Sequence, residues 1–169
     1  LFVDADDWIE PNAVEVMTQL AEKHNARVVV CGNKIGDECG STCCDEVDER
    51  CEIWERDYVI KEFLRHTIFR GQLWNKLIQR ELFDGKAFNH KIGYGEDADI
   101  LWKILLGVDK IVWSNIPLYN YRISVSSISG QRFSAKKMHA LNVWQKICAD
   151  VEICYPQYID IAKSRYGVE

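Results

Sequence analysis

Two aspartates standing two apart, Asp4 and Asp6, follow directly on the apolar run Leu1-Phe2-Val3, and Asp7 comes next. The apolar run predicts the end of a buried strand in a parallel sheet. Residues two apart in an extended segment point the same way, so both carboxylates would face one site. Carboxylates side by side repel each other unless a cation lies between them. Hard divalent cations such as Mg2+ take carboxylate oxygens and keep phosphate and water as further ligands. Strand ends in open parallel sheets are also where ligands bind. The pattern therefore predicts a carboxylate–metal–phosphate site. Asp-x-Asp is a short signal, and a solvated acidic turn ahead of a helix accounts for it equally well.

Two named patterns can be tested on the same residues. A calcium EF-hand loop counted from Asp4 would need an acidic or amide residue and then Gly where this chain has Trp8 and Ile9, so it is excluded. Phosphatases of the haloacid-dehalogenase type also carry Asp-x-Asp after an apolar strand, with the first Asp as nucleophile. They normally place Thr or Val where Trp8 stands, which weakens that alternative and leaves it open.

The elements that must position these carboxylates come next in the chain. Pro11 to His24 carries Val14, Met17, Leu20 and Ala21 at helical spacing, with Asn25 as its stop. Arg27–Cys31 reads as a short buried strand, and Gly32–Arg50 as a loop or ragged hairpin. Glu55–His66 is a helix packing through Tyr58, Ile60, Phe63 and Leu64. Gln72–Ile78 is a short apolar strand, Arg80–Phe83 a single helical turn, and Gly85–Gly95 a loop. A helix begins near Gly95 and ends at Gly107; Glu96 and Asp97 in its first turn suit the helix dipole or a cap. Lys110–Trp113 and Pro117–Ile123 read as two strands, the second with Tyr119 and Tyr121 on one face. Ser124–Gly130 is a Ser-rich loop. Ser134–Asp150 is a helix bearing Met138, Leu141, Val143, Trp144 and Ile147, and Tyr158–Tyr166 a short last one.

The 169 residues suffice for one domain with a real core, and no repeat or linker divides them. A formal net charge of −5 with no basic stripe argues against a nucleic-acid partner. The apolar runs are too short to span a membrane, and no charged start followed by an apolar core marks a signal peptide. Of seven cysteines, Cys39, Cys43, Cys44 and Cys51 cluster in one acidic stretch. They lack paired Cys-x-x-Cys knuckles and a nearby His, so reduced cytosolic thiols are expected over a zinc site. His90 reads as a loop histidine, since no second His or Cys stands at ligand spacing.

Val3-Asp4-Ala5-Asp6-Asp7, Trp74-Asn75-Lys76-Leu77, Gly95-Glu96-Asp97, Leu118-Tyr119-Asn120-Tyr121-Arg122 and Ser127-Ile128-Ser129 occur in this order. As an ordered set over roughly residues 1–130, they resemble the C-terminal half of a bacterial family 2 glycosyltransferase with a GT-A fold. The resemblance implies an α/β fold of the nucleotide-diphospho-sugar transferase type, a mixed sheet with flanking helices. Residues 131–169 form a helical tail without a placed motif. It implies that the chain lacks the nucleotide-holding first half, is inactive alone, and hides a bare sheet edge either by pairing as a homodimer or by covering it with a tail helix.

The resemblance also implies roles. Asp4 reaches the donor ribose, and Asp6 holds Mn2+ or Mg2+ on the diphosphate, while Asp7 supports the turn or the next helix. Arg122 and Ser127 approach the diphosphate, Asp97 is the general base, and Trp74 and Glu96 border the acceptor. The partners implied are a nucleotide-sugar donor and a glycan or lipid-linked cell-envelope acceptor, with a cytoplasmic location at or near the inner face of the membrane. The chemistry fits these residue types: a Lewis acid steadies the departing diphosphate, and a carboxylate takes the acceptor hydroxyl's proton. Attack opposite the leaving group inverts the anomeric centre. Each residue keeps a plainer alternative: Trp74 a core aromatic, Lys76 a surface lysine, Arg122 an ion-pair partner, Glu96 and Asp97 helix caps. A non-catalytic binding module is the remaining alternative.

Overall fold

The first helix, α1, runs Ala13–His24 and stops where Asn25 turns to φ 46°, a left-handed conformation that Asn tolerates. Ala13 and Met17 on its inner face are buried. They pack with Val29, Cys31, Val112, Leu118 and Tyr119 into one apolar cluster. This computed structural model describes residues 1–36, 49–89, 91–123 and 138–166.

The chain packs as two compact units. The first takes Leu1–Trp54, Leu73–Arg80 and the segment from Asp109 through the last strand. Its strands are β1 (Trp8–Ile9), β2 (Val28–Gly36), β3 (Cys51–Glu55), β4 (Lys76–Ile78) and β5 (Lys110–Arg122). They form a mixed sheet in the order β1-β5-β2-β4, with β3 also paired to β5. Strands β2 and β5 run parallel, β1 lies antiparallel to β5, and β4 antiparallel to β2. The mixed sheet agrees with the expected fold class.

Several expectations are corrected. The strand expected over Arg27–Cys31 continues to Gly36, and the two expected over Lys110–Trp113 and Pro117–Ile123 are one strand, β5. The polar interruption at Ser114-Asn115 does not break β5, because its groups are used locally. Ser114 Oγ accepts the Ile116 N–H at 3.1 Å, and Asn115 exchanges bonds with Arg50. Pairing with β2 slips around Gly32, where a Cβ would stand 2.2 Å from the Asn115 carbonyl oxygen. Gly32→Ala is therefore expected to cost about 3 kcal/mol, the upper range for overpacking, because rigid backbone meets the added carbon. Denaturant unfolding measures it; a loss under about 0.5 kcal/mol would show that β5 yields there.

The apolar start also differs from expectation. Phe2 and Val3 are exposed rather than buried in a central strand. Phe2 makes one parallel bridge to Trp74, and that single pairing does not extend into a strand. Lys76, expected at the surface, is 1% exposed and donates to Asn75 Oδ1 at 2.9 Å. Asn75, at φ 60°, also donates its amide to the Cys31 carbonyl.

The second unit takes Glu55–Gln72, Glu81–Val108 and the C-terminal helices. Its helices are α2 (Arg56–Arg65), α3 (Glu96–Leu105), α4 (Met138–Cys154) and α5 (Ile159–Tyr166). The helical turn expected at Arg80–Phe83 is present as a 3-10 turn. Phe63 of α2 stacks with Trp102 of α3 and Trp144 of α4, each 5.7 Å away, and meets Phe69 edge-on. The Trp102 indole N–H donates to Asp150, so α3 is tied to α4 by a polar bond as well as by packing. Three helix faces were misplaced in part. Val14 is exposed in α1, which buries Ala13 and Met17. Tyr58 is exposed and Val59 buried in α2, while Met138 and Leu141 are exposed in α4, which packs through Val143, Trp144, Ile147 and Val151. Tyr58 and Leu141 both fit an apolar stripe by spacing, but a ten-residue helix such as α2 buries only the side its neighbours cover.

Candidate active site

Asp4 to Asp7 is a closed turn, with the Asp7 N–H donating to the Asp4 carbonyl at 3.1 Å. The extended geometry expected for Asp4 and Asp6 is thus replaced by a bend, with Asp6 in its tip. The turn is fastened to β5. The Asp4 N–H donates to the Tyr119 hydroxyl at 3.1 Å, and that hydroxyl donates to Asp7 Oδ2 at 2.7 Å. The Arg122 N–H donates to the other Asp7 oxygen at 2.8 Å. Hydrogen bonds to a charged group contribute about 1.5–3 kcal/mol each. They outweigh the exposed contact of the Arg122 guanidinium with Trp8, 5.3 Å from its ring centroid, which is of order 0.5–1 kcal/mol. Asp7 therefore supports the turn, by holding the strand rather than the following helix.

Burial, and then the Asp7 and Asp6 charges, hold the Asp4 carboxyl above its ordinary range. Burial and Asp7 likewise raise the Tyr119 phenol, so it stays protonated and donates. The repulsion felt by Asp4 is the kind a cation relieves. The donors are oxygens only, which suits Mn2+ or Mg2+ sharing its shell with phosphate and water. Among the described residues, no group of three or more His, Cys, Asp or Glu could hold a metal ion by itself.

Beside the turn, Glu10 accepts from Lys34 Nζ at 2.8 Å and from the buried Asn120 amide at 3.1 Å. These bonds hold the Glu10 carboxyl below its ordinary range. Trp74 is half-buried and stacks on Tyr119 and Tyr121, with ring centroids 4.7 and 5.3 Å away. The expected shared face of Tyr119 and Tyr121 is thus present and covered by this indole.

The first unit therefore brings together Asp4, Asp6, Asp7, Trp74 and Arg122. Glu96 and Asp97 belong to the second unit, where they are the first two residues of α3 and half-buried. The N-cap is Gly95 at φ 91°, so neither acid occupies the capping position itself. Gly95 is required there both by that φ and by Ala140, whose Cα would lie 3.3 Å from an added Cβ. Ser127, His90 and Cys39, Cys43 and Cys44 lie outside the described residues, while Cys51 is exposed with a free thiol. Sequence reasoning missed Tyr119 as a partner of the acidic turn. The signal available was its place beside Arg122 in the Leu118–Arg122 motif, but nothing in the spacing links it to Asp7 across 112 positions.

No protein-family model matches the chain. The chain is 31% identical over 150 residues to the glycosyltransferase GlyA of Streptococcus pneumoniae serotype 4, covering 83% of this chain. It is 27% identical over 139 residues to EpsH of Bacillus subtilis strain 168, a protein assigned to the glycosyltransferases, covering 80% of this chain. It superimposes on S. aureus TarS 1-349 with a TM-score of 0.66 at 15% identity, covering 98% of this chain and 46% of that one. The TarS complex with UDP-GlcNAc gives a TM-score of 0.64 at 15% identity, over 89% of this chain and 42% of that one.

The chain has a glycosyltransferase fold.

It spans 21% of GlyA and 40% of EpsH, so it corresponds to part of such a protein. In this glycosyltransferase fold the acidic turn sits at the edge of the mixed sheet, fastened to its longest strand. Among the described residues, no helix is long and apolar enough to cross a membrane.

Proposed function

We propose that the intact protein transfers a sugar from a nucleoside-diphosphate donor to a hydroxyl of a glycan or cell-envelope acceptor, with inversion, at the inner face of the membrane. The observation that carries this reading is the Asp4–Asp7 turn, locked to β5 through the Tyr119 hydroxyl and the Arg122 backbone N–H. Its similarity to part of GlyA and EpsH supports the reaction class over the phosphatase alternative. The UDP and UDP-GlcNAc complexes of TarS support a nucleoside-diphosphate donor.

In this reading Asp4 binds the ribose, Asp6 holds Mn2+ or Mg2+, and Arg122 and Ser127 bind the diphosphate. Bound there, the cation supplies Lewis-acid stabilisation of the leaving diphosphate. Arg122 adds a fixed positive charge that needs no proton. Trp74 offers an aromatic face and Glu96 a carboxylate to the acceptor sugar. Asp97 takes the proton of the attacking hydroxyl as its oxygen bonds to the anomeric carbon.

The test incubates full-length protein and Mn2+ with a panel of UDP-, dTDP- and GDP-sugars and a cell-envelope extract as acceptor. Acceptor-dependent release of nucleoside diphosphate is expected. Release of inorganic phosphate through an Asp4 phospho-enzyme would overturn the proposal and select the phosphatase.

A further inference from the structure

We propose that Tyr119 is a positioning residue for the acidic turn: its buried hydroxyl fixes Asp4 and Asp7 together, so that Asp4 and Asp6 are presented to the nucleoside-diphosphate donor in one geometry. This rests on the glycosyltransferase reading for the ligand and on the structure for the clasp. A phenol hydroxyl has one proton to donate and lone pairs to accept with. Here both capacities are spent on the same turn: it accepts the Asp4 N–H and donates to Asp7 Oδ2. The two residues it joins are the ends of the turn, already closed by the Asp7 N–H to the Asp4 carbonyl.

The hydroxyl's own place is set by the core. Tyr119 is fully buried, its backbone pairs with Ile9 of β1, and its ring stacks on Trp74. The ring thus anchors the sheet, while only the oxygen reaches the turn. With the Arg122 N–H on Oδ1, both Asp7 oxygens are engaged by protein donors. That divides the three aspartates by role. Asp7 is a structural carboxylate that belongs to β5, and Asp4 and Asp6 remain to face a ligand. A site that must hold a cation and a diphosphate gains from such a clasp, because small displacements of positioning groups weaken binding and slow chemistry. The plainer role for Tyr119, a core aromatic, needs the ring and makes no use of the oxygen.

Tyr119→Phe in the full-length protein separates the two roles, since it keeps the stacked ring and removes only the hydroxyl. Two readouts are compared with wild type: hydrogen exchange at the Asp4 and Arg122 amides, and calorimetric affinity for UDP with and without Mn2+. Asp4 exchange is expected to accelerate at least tenfold, and Mn2+-dependent UDP affinity to fall about tenfold. Asp7→Asn, which keeps the shape but replaces one of the two acceptor oxygens by an amide donor, serves as the second variant and is expected to shift both readouts the same way. Unchanged Asp4 exchange in both variants, or unchanged Mn2+-dependent affinity where wild type binds, overturns the proposal. Should wild type bind no UDP, the nucleotide reading is in difficulty instead, and the exchange arm alone decides the clasp.

Discussion

Asp97→Asn in the intact protein is expected to slow sugar transfer by about a hundredfold or more, with donor binding intact. Asn has the shape of Asp but cannot accept the acceptor's proton, and general-base catalysis contributes roughly a hundredfold to ten-thousandfold. Asp97 is the second residue of α3, half-buried, and an acid in a helix's first turn contributes about 0.3–1 kcal/mol through the dipole. The Gly95 N-cap and the packing of Ile100, Leu101, Ile104 and Leu105 keep the helix in place. Single-turnover transfer assays, with donor affinity and melting temperature measured on the same sample, check this. Transfer at a near wild-type rate would leave Asp97 as a helix-dipole residue, and the base would have to be sought elsewhere.

Asp6→Ala is expected to abolish the Mn2+-dependent part of nucleotide binding while leaving the fold intact. Asp6 is exposed in the tip of the turn, and surface substitutions of this kind usually stay within about 0.5 kcal/mol of neutral. The turn itself is closed through Asp4, Asp7, Tyr119 and Arg122, none of which the substitution touches. What it removes is the one protein carboxylate that the proposed function assigns to the cation. Calorimetry with UDP in the presence and absence of Mn2+ provides the measurement. An unchanged metal-dependent affinity would remove Asp6 from the metal site.

Local chemistry made much of the chain legible. Asn25 as the stop of α1, the single turn at Arg80–Phe83, the start of α3 at Gly95 and the common face of Tyr119 and Tyr121 all follow from propensities within a few residues. The ordered motifs led to the glycosyltransferase fold, although each is short. The misplacements share a cause. Strand β5 looked like two strands because Ser114 and Asn115 read as a break, yet their polar groups are satisfied within the sheet. Lys76 looked like a surface residue because a charge seldom goes under cover, yet the amide of Asn75 receives it.

The sequence by itself determined which carboxylates are available, their order along the chain, and the helices that carry or flank them. Those properties depend on residue type and short spacing, where a few bonds and one hydrophobic stripe decide the outcome. Only the tertiary structure decided which aspartate fastens the turn to the sheet. Asp4, Asp6 and Asp7 are chemically alike and nearly adjacent, so nothing local distinguishes them. The distinction comes from one hydroxyl and one backbone N–H on β5, more than a hundred residues away, which bind the Asp7 carboxylate and set it apart from Asp4 and Asp6.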